Sequence, residues 1–319
     1  MKKILTLLAL TISFIMNAQL TAVTEGGNTG QRLSTSNASN HGNIGSDAVD
    51  LSVQSLASST RGATGFKAVA MGSNTTASGS ISTAIGNANE ASGTFSTSMG
   101  VSTLASGYGS TSMGNYTVAN GWHSTAMGSN TTASGSYSTA IGLYATASDY
   151  SSTVIGQHNS SGSSVTNNAT SFSTSNTAFV IGNGENSDNK SDAFKVMFDG
   201  TTTIAGDLTI NSDARLKANI TSLGGTLAKL LKIDGKSYTM KKDQSEKQKI
   251  GLLAQDIQKV FPELVLESQG IKSVNYQGLV PVIINALKEQ DRKMKEQDRK
   301  MREQEERLER LERLVANMD

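Results

Sequence analysis

The sequence predicts a mainly β protein: a parallel β-roll solenoid, then a small α/β domain, then a C-terminal parallel coiled coil. Three observations predict it. Seven near-identical 14-residue units run without insertion from Gly65 to Gly156. Charge is almost absent in that stretch, where only Lys67, Glu90 and Asp149 carry it, and abundant after Ser212. Apolar residues then recur at heptad spacing from Leu287 onward.

A strict short period means one small unit stacked on copies of itself. An apolar-Gly step recurs at Met71-Gly72, Ile85-Gly86, Met99-Gly100, Met113-Gly114, Met127-Gly128, Ile141-Gly142 and Ile155-Gly156. A Ser-Thr pair precedes most of them, as in Ser82-Thr83, and an Ala follows each of the first six Gly residues by five, as in Gly72 and Ala77. Fourteen residues fit two short strands and two turns. Strand alternation places Ile81, Thr83 and Ile85 on one face and Ser82, Ala84 and Gly86 on the other. The expectation is a thin core made by the Met/Ile ladder, with the small residues allowing close backbone approach on the second face. Seven coils would span roughly 34 Å at one strand separation each. Such a core calls for burial between chains.

The flanking segments differ. Lys2 and Lys3 precede an apolar run from Ile4 to Met16, followed by Asn17-Ala18-Gln19. That pattern reads as a secretory signal peptide cut after Ala18, too short to span a bilayer comfortably. Residues 19–64 read as an irregular lead-in that caps the first coil, with a strand-like alternation at 48–53. A Ser/Asn/Thr-rich loop at 157–176 breaks the register, and Thr177–Gly182 restores it as a further coil. Strand-like runs at 193–198 and from Thr202 through Ile210, around the turn Asp199-Gly200, read as a neck. The chain has no Cys and a net charge of +1. Composition therefore gives no argument for disulfides or a nucleic-acid partner. His41, His123 and His158 share no metal-ligand spacing, and Gly182-Asn183-Gly184 lacks the context of a nucleotide loop.

The Ser-Thr-Ala-[Met/Ile]-Gly pattern, followed by Ala-Ser-Gly, resembles the head repeats of trimeric autotransporter adhesins of the YadA type. The resemblance implies a left-handed parallel β-roll with three chains side by side. Members of that family end in a membrane-embedded β-barrel. This sequence ends in a charged coiled coil, so the expectation is no transmembrane anchor in the mature chain.

Beyond Ser212 the repeat is gone. Leu287, Met294, Met301, Leu308 and Val315 are spaced by seven, and Gln290, Gln297, Gln304, Leu311 and Met318 follow three residues behind. These are a and d positions. Opposite charges at Lys293/Asp298, Lys300/Glu305 and Arg307/Glu312 suit a parallel bundle. The number of strands is open at this point. Ahead of the coil lie Ser212-Asp213-Ala214-Arg215-Leu216-Lys217, then Gly251–Val265, then Val274–Lys288. In this order they resemble the self-cleaving intramolecular chaperone of phage endosialidases and tailspikes, also present in myelin regulatory factors. The resemblance implies cleavage of the Asn211–Ser212 bond, with Ser212 as nucleophile and Lys217 as general base.

The chemistry sets its own conditions. A serine hydroxyl needs a base to take its proton. An unperturbed lysine is neutral in only about one molecule in 2500 at pH 7, so the base must be desolvated or crowded by another cation. Arg215 is a candidate for that cation. Asp213 either caps a helix starting near Ala214 or orients the dyad, and the cap comes first.

The expected domains are therefore a signal peptide (1–18), a lead-in (19–64), head repeats (65–184), a neck (185–211), a self-cleaving chaperone (212–286) and a coiled coil (287–319). The expected function is an exported, homotrimeric, adhesin-like fibre, secreted or at the cell surface. Its chaperone drives assembly and is then released by a single-turnover Ser-Lys peptidase. The expected partners are further copies of itself and an extracellular ligand of glycan or matrix type; no cofactor, metal or nucleic acid is implied. The rivals are a phage tail fibre, against which the signal peptide argues, and an ice- or surface-binding solenoid. The second would need Thr83 and its equivalents outside, where alternation beside Ile85 does not put them. A multi-turnover protease is a weaker fit, because the nucleophile is tied to its own substrate bond.

Overall fold

The computed structural model describes residues 20–160, 168–241 and 247–317. The signal-peptide reading of residues 1–18 and the d position at Met318 lie outside them. The chain divides into two compact units, ending at Ile210 and starting at Asn211.

The first unit is a parallel β-solenoid. Each 14-residue repeat makes one coil: a five-residue strand such as Thr83–Asn87, a turn, a two-residue strand such as Glu90–Ala91, and a second turn. Nine long strands stack in parallel, from Val49–Val53 to Thr177–Asn183, and seven short ones form a second sheet. Register is strict: Met71 pairs with Ile85 and Gly72 with Gly86. Backbone hydrogen bonds also join the coils outside the strands, as from Thr83 N to Ser96 O at 2.9 Å and from Ser92 N to Ala105 O at 3.0 Å.

The interior corrects the expected one. Alternation holds, but the inward face is Ser82, Ala84 and their equivalents. Ala70, Ala84, Ala126 and Ala140 are fully buried, and so are Ala77, Ala91, Ala105, Ala119, Ala133 and Ala147 of the opposing short strands. The Met/Ile ladder lies on the outer face, where Met71 and Ile141 are each 40% exposed. The reason is thickness. Two strands joined by tight turns leave room between them for methyl groups, not for Ile or Met. Thr83 and its equivalents share that outer face, so the alternation argument against a surface array falls.

Glycine makes the turns possible at two columns. Gly86 has φ +124°, and a Cβ there would run into the Gly100 carbonyl oxygen of the next coil. A Cβ on Gly93 would likewise meet the Gly107 carbonyl. The second column ends at Asp149, which stands where the other coils have Gly. Its buried carboxylate accepts the Thr177 amide at 2.7 Å, across the base of the inserted loop.

Both ends of the stack are closed by antiparallel hairpins. The lead-in is ordered rather than irregular. β1 (Leu20–Glu25) and β2 (Asn28–Leu33) form a hairpin about Gly26-Gly27, and β2 pairs with β3 (Val49–Val53). Beneath it a buried charge cluster lies beside the apolar packing of Val23, Ile44 and Ala48. Arg32 reaches Glu25 at 2.6 Å and Asp50 at 3.4 Å, and His41 Nδ1 lies 2.8 Å from the same Asp50 oxygen. Burial pushes the Asp50 carboxyl up, but hydrogen bonds from His41 and Ser52 outweigh it and hold it below its ordinary value. At the other end Asp192–Met197 and Thr202–Ile204 continue the same sheet antiparallel. The second strand ends at Ile204, short of the expected Ile210.

The second unit is small and mixed. It contains α1 (Thr226–Leu230), a hairpin of Lys236–Tyr238 with Lys249–Gly251, α2 (Ala254–Val260), a hairpin of Val265–Ser268 with Ile271–Val274, and α3 (Leu279–Ala316). Pro262 follows the C-cap Phe261 of α2 and opens a 3-10 turn, which keeps the helix from continuing. Ile257, Phe261 and Val282 are buried together, with Leu230, Leu252 and Val274 packed around them. α3 runs for 38 residues and its heptad side chains are bare: Leu287, Met294, Met301 and Leu308 are 54–60% exposed.

Candidate functional site

The second unit opens with the hexapeptide Ser212–Lys217. Asp213 has extended backbone and caps a single 3-10 turn, Ala214–Leu216, by accepting the Arg215 amide at 2.9 Å. The turn has a geometric consequence. It carries the chain back on itself, so that Lys217, the residue after the turn, brings its Nζ to within 2.7 Å of Ser212 Oγ. The lysine donates to the hydroxyl in this state. Transfer in the other direction requires a neutral amine.

The sequence offered Arg215 as the cation that could crowd Lys217. Its guanidinium pairs with Asp213, at 3.1 Å from Nε to each carboxylate oxygen and 2.6 Å from Nη2 to Oδ2. The Arg215 side chain holds the Asp213 carboxyl below its ordinary value, and Asp213 raises Arg215 in turn. Ser212, Lys217 and Asn211 are all exposed in the single chain.

Two supporting contacts were not legible beforehand. Glu289 on α3 accepts Thr226 N at 2.9 Å, Thr226 Oγ1 at 2.8 Å and Leu227 N at 3.1 Å. It therefore caps the N-terminus of α1, whose own cap residue, Gly225, has no side chain to do so. The hydroxyl of Tyr276 accepts Leu252 N at 2.9 Å and ties the loop before α3 to the start of α2. The sequence signal for the first was an acid at a c position of the heptad, which reads equally as an ordinary surface charge. Among the described residues no group of three His, Cys, Asp or Glu side chains is placed to hold a metal ion. No described helix is long and apolar enough to cross a membrane.

Comparison with known families matches both units. Residues 212–266 fit the profile described as chaperone of endosialidase, and the match begins at Ser212. Overlapping segments from 63 to 159 fit the YadA head domain repeat. The chain is also 31% identical over 100 residues to the long tail fiber protein Gp37 of Escherichia phage AR1. That similarity covers 28% of this chain and 9% of the phage protein. The chain therefore joins YadA-type head repeats to a chaperone-of-endosialidase domain.

Proposed function

We propose that this protein is a homotrimeric, adhesin-like surface fibre whose C-terminal unit directs assembly and then cuts itself away between Asn211 and Ser212. The observation that carries the reading is the 2.7 Å contact from Lys217 to Ser212, formed at the first residue of the chaperone-of-endosialidase match. In the step, Ser212 Oγ adds to the Asn211 carbonyl carbon while its proton passes to Lys217 Nζ. The Asn211–Ser212 C–N bond then breaks as Lys217 returns the proton to the Ser212 amine. The ester left on Oγ is hydrolysed by water, which frees the two chains.

Exposure of the dyad in one chain gives the reaction its order. A lysine serves as base only once burial or a neighbouring cation weakens its hold on the proton, and Arg215 is engaged by Asp213. Neighbouring chains, packed on the bare apolar side chains Ile220, Leu231 and Ile250 (68%, 77% and 87% exposed), supply that burial. Cleavage follows assembly. The outer Met/Ile face of the solenoid and the bare heptads of α3 are the matching surfaces for three-fold packing. The phage match supports a second reading, a tail-fibre subunit, which shares this assembly chemistry but needs no secretory leader. Fractionation of the producing cell separates the two.

The test is N-terminal sequencing of the small fragment from the purified wild-type protein. It should begin Ser-Asp-Ala-Arg. Ser212→Ala and Lys217→Ala should each abolish the cut, and Lys217→Arg should fail too, because arginine stays protonated. Cutting that persists in Lys217→Ala removes the lysine from the role of base.

A further inference from the structure

We infer that the solenoid carries a binding groove for neutral glycan chains along one of its turn edges. Five coils place aromatic residues on the turn that follows the short strand, in unbroken succession. Ring centroids lie 5.4 Å apart for Phe95 and Tyr108, 5.5 Å for Tyr108 and Trp122, and 5.5 Å for His123 and Tyr137. Tyr137 and Tyr150 follow at 5.4 Å. These side chains are not core. Phe95, Trp122 and Tyr137 are 46–52% exposed, in a solenoid whose interior holds alanine.

The ridge has a wall. Residues 168–176 of the inserted loop return along this edge, with Ser136 N donating to Ala169 O at 2.7 Å and Tyr150 N to Asn168 O at 3.1 Å. Between that loop and the ridge lies a groove of about 400 Å³ lined by Tyr108, Asn120, Trp122, Ser134, Ser136 and Thr170. The Tyr108 and Trp122 rings are tilted 54° to each other, so they form two sides of a cleft rather than one stack.

The chemistry of the lining selects the ligand. Ring faces are electron-rich and attract the C–H face of a pyranose. The hydroxyls and the amide beside them meet the sugar's equatorial hydroxyls. No charged side chain lines the groove. A nucleic acid or sulfated polysaccharide would need cations there. A succession of rings, one per coil, fits a linear polymer lying along the roll rather than a single sugar. This deepens the adhesin-like reading of the head and rests on it. It is independent of the cleavage chemistry.

Trp122 is the chain's single tryptophan, so its fluorescence reports on the groove. The experiment titrates the full-length protein with neutral oligosaccharides of glucose, mannose, galactose and N-acetylglucosamine, read by Trp122 emission and by calorimetry. At least one series should shift the emission saturably, with affinity rising with chain length. Trp122→Ala and Asn120→Ala should each weaken that binding roughly tenfold by calorimetry, and Trp122→Phe should retain most of it. Tyr116→Ala, on the opposite turn edge, should leave it unchanged. Circular dichroism confirms the fold of each variant, and trimer mass and cleavage are scored on the same samples. A trimeric, cleaved protein that binds no sugar in the panel at millimolar concentration overturns the groove and leaves the fibre reading intact. Binding of heparin alone, binding of a matrix protein alone, or sugar affinity indifferent to Trp122 and Asn120 overturns it as well.

Discussion

Ser98 and Ser96 lie two residues apart and are both buried, yet they play opposite parts. Ser98 Oγ donates to Thr103 O at 2.9 Å and shares a 2.6 Å bond with Thr103 Oγ1. Ser96 Oγ is buried without a hydrogen-bond partner. Ser98→Ala should therefore cost about 1–3 kcal/mol, because it strands the Thr103 hydroxyl, while Ser96→Ala should be neutral or stabilising. Denaturant unfolding of the Ser212→Ala background measures both. Equal costs would mean the polar interior is not organised as described. Alternation was legible in the repeat, but its phase was not. Large apolar residues usually mark the inside of a strand, and here the turns bring the two strands too close for Met71 or Ile85. Only Ala77 and its equivalents, facing Ala84 across the roll, reveal how thin the interior is. The pairing of Ser212 with Lys217 was legible only from the family resemblance of the three segments in order, because the hexapeptide alone reads as a helix cap. The engagement of Arg215 by Asp213 was not, since the same spacing allows either partner.

Among the elements, α3 was the easiest to read and its role the hardest. Heptads gave its length. Glu289, which caps α1 from a distance of 63 residues, left no periodic trace. The hairpin of β1 and β2 was missed although Gly26-Gly27 sits between two strand-like runs, because a Ser/Asn/Gly-rich composition resembles a loop. Two predictions belong here. Hydrogen bonds from Thr226 and Leu227 hold the Glu289 carboxyl below its ordinary value. Its stabilisation is thus full above the unfolded carboxylate value and fades as pH falls through the lower, folded one. Glu289→Gln should lower the melting temperature of the second unit at neutral pH and flatten its dependence on pH in the acid range. An unchanged acid slope would remove Glu289 from the cap. Deleting the chain from Lys288 onward should sharply lower the yield of assembled fibre, while proteolytic removal of the same segment from finished, uncut Ser212→Ala fibre should leave the solenoid trimer intact. Normal yield from the truncated gene would show that the helix does not gather the chains.

At the scale of the molecule, a repetitive solenoid with a thin alanine interior and Met and Ile on its outer face stands to gain stability by association, and its repeats invite slipped register. On the proposed function, a removable coiled coil would answer both problems: it would raise local concentration during assembly, and its loss afterwards would make unfolding irreversible. Heat-unfolded wild-type protein should therefore fail to recover on cooling, while Ser212→Ala, still joined to its second unit, should recover much more fully. The most direct test of assembly followed by release is native mass spectrometry of the purified wild-type protein. The account predicts a particle of three chains, each ending at Asn211, with three uncut chains in Ser212→Ala. A folded, stable monomer, or a trimer of intact chains from the wild type, would contradict it.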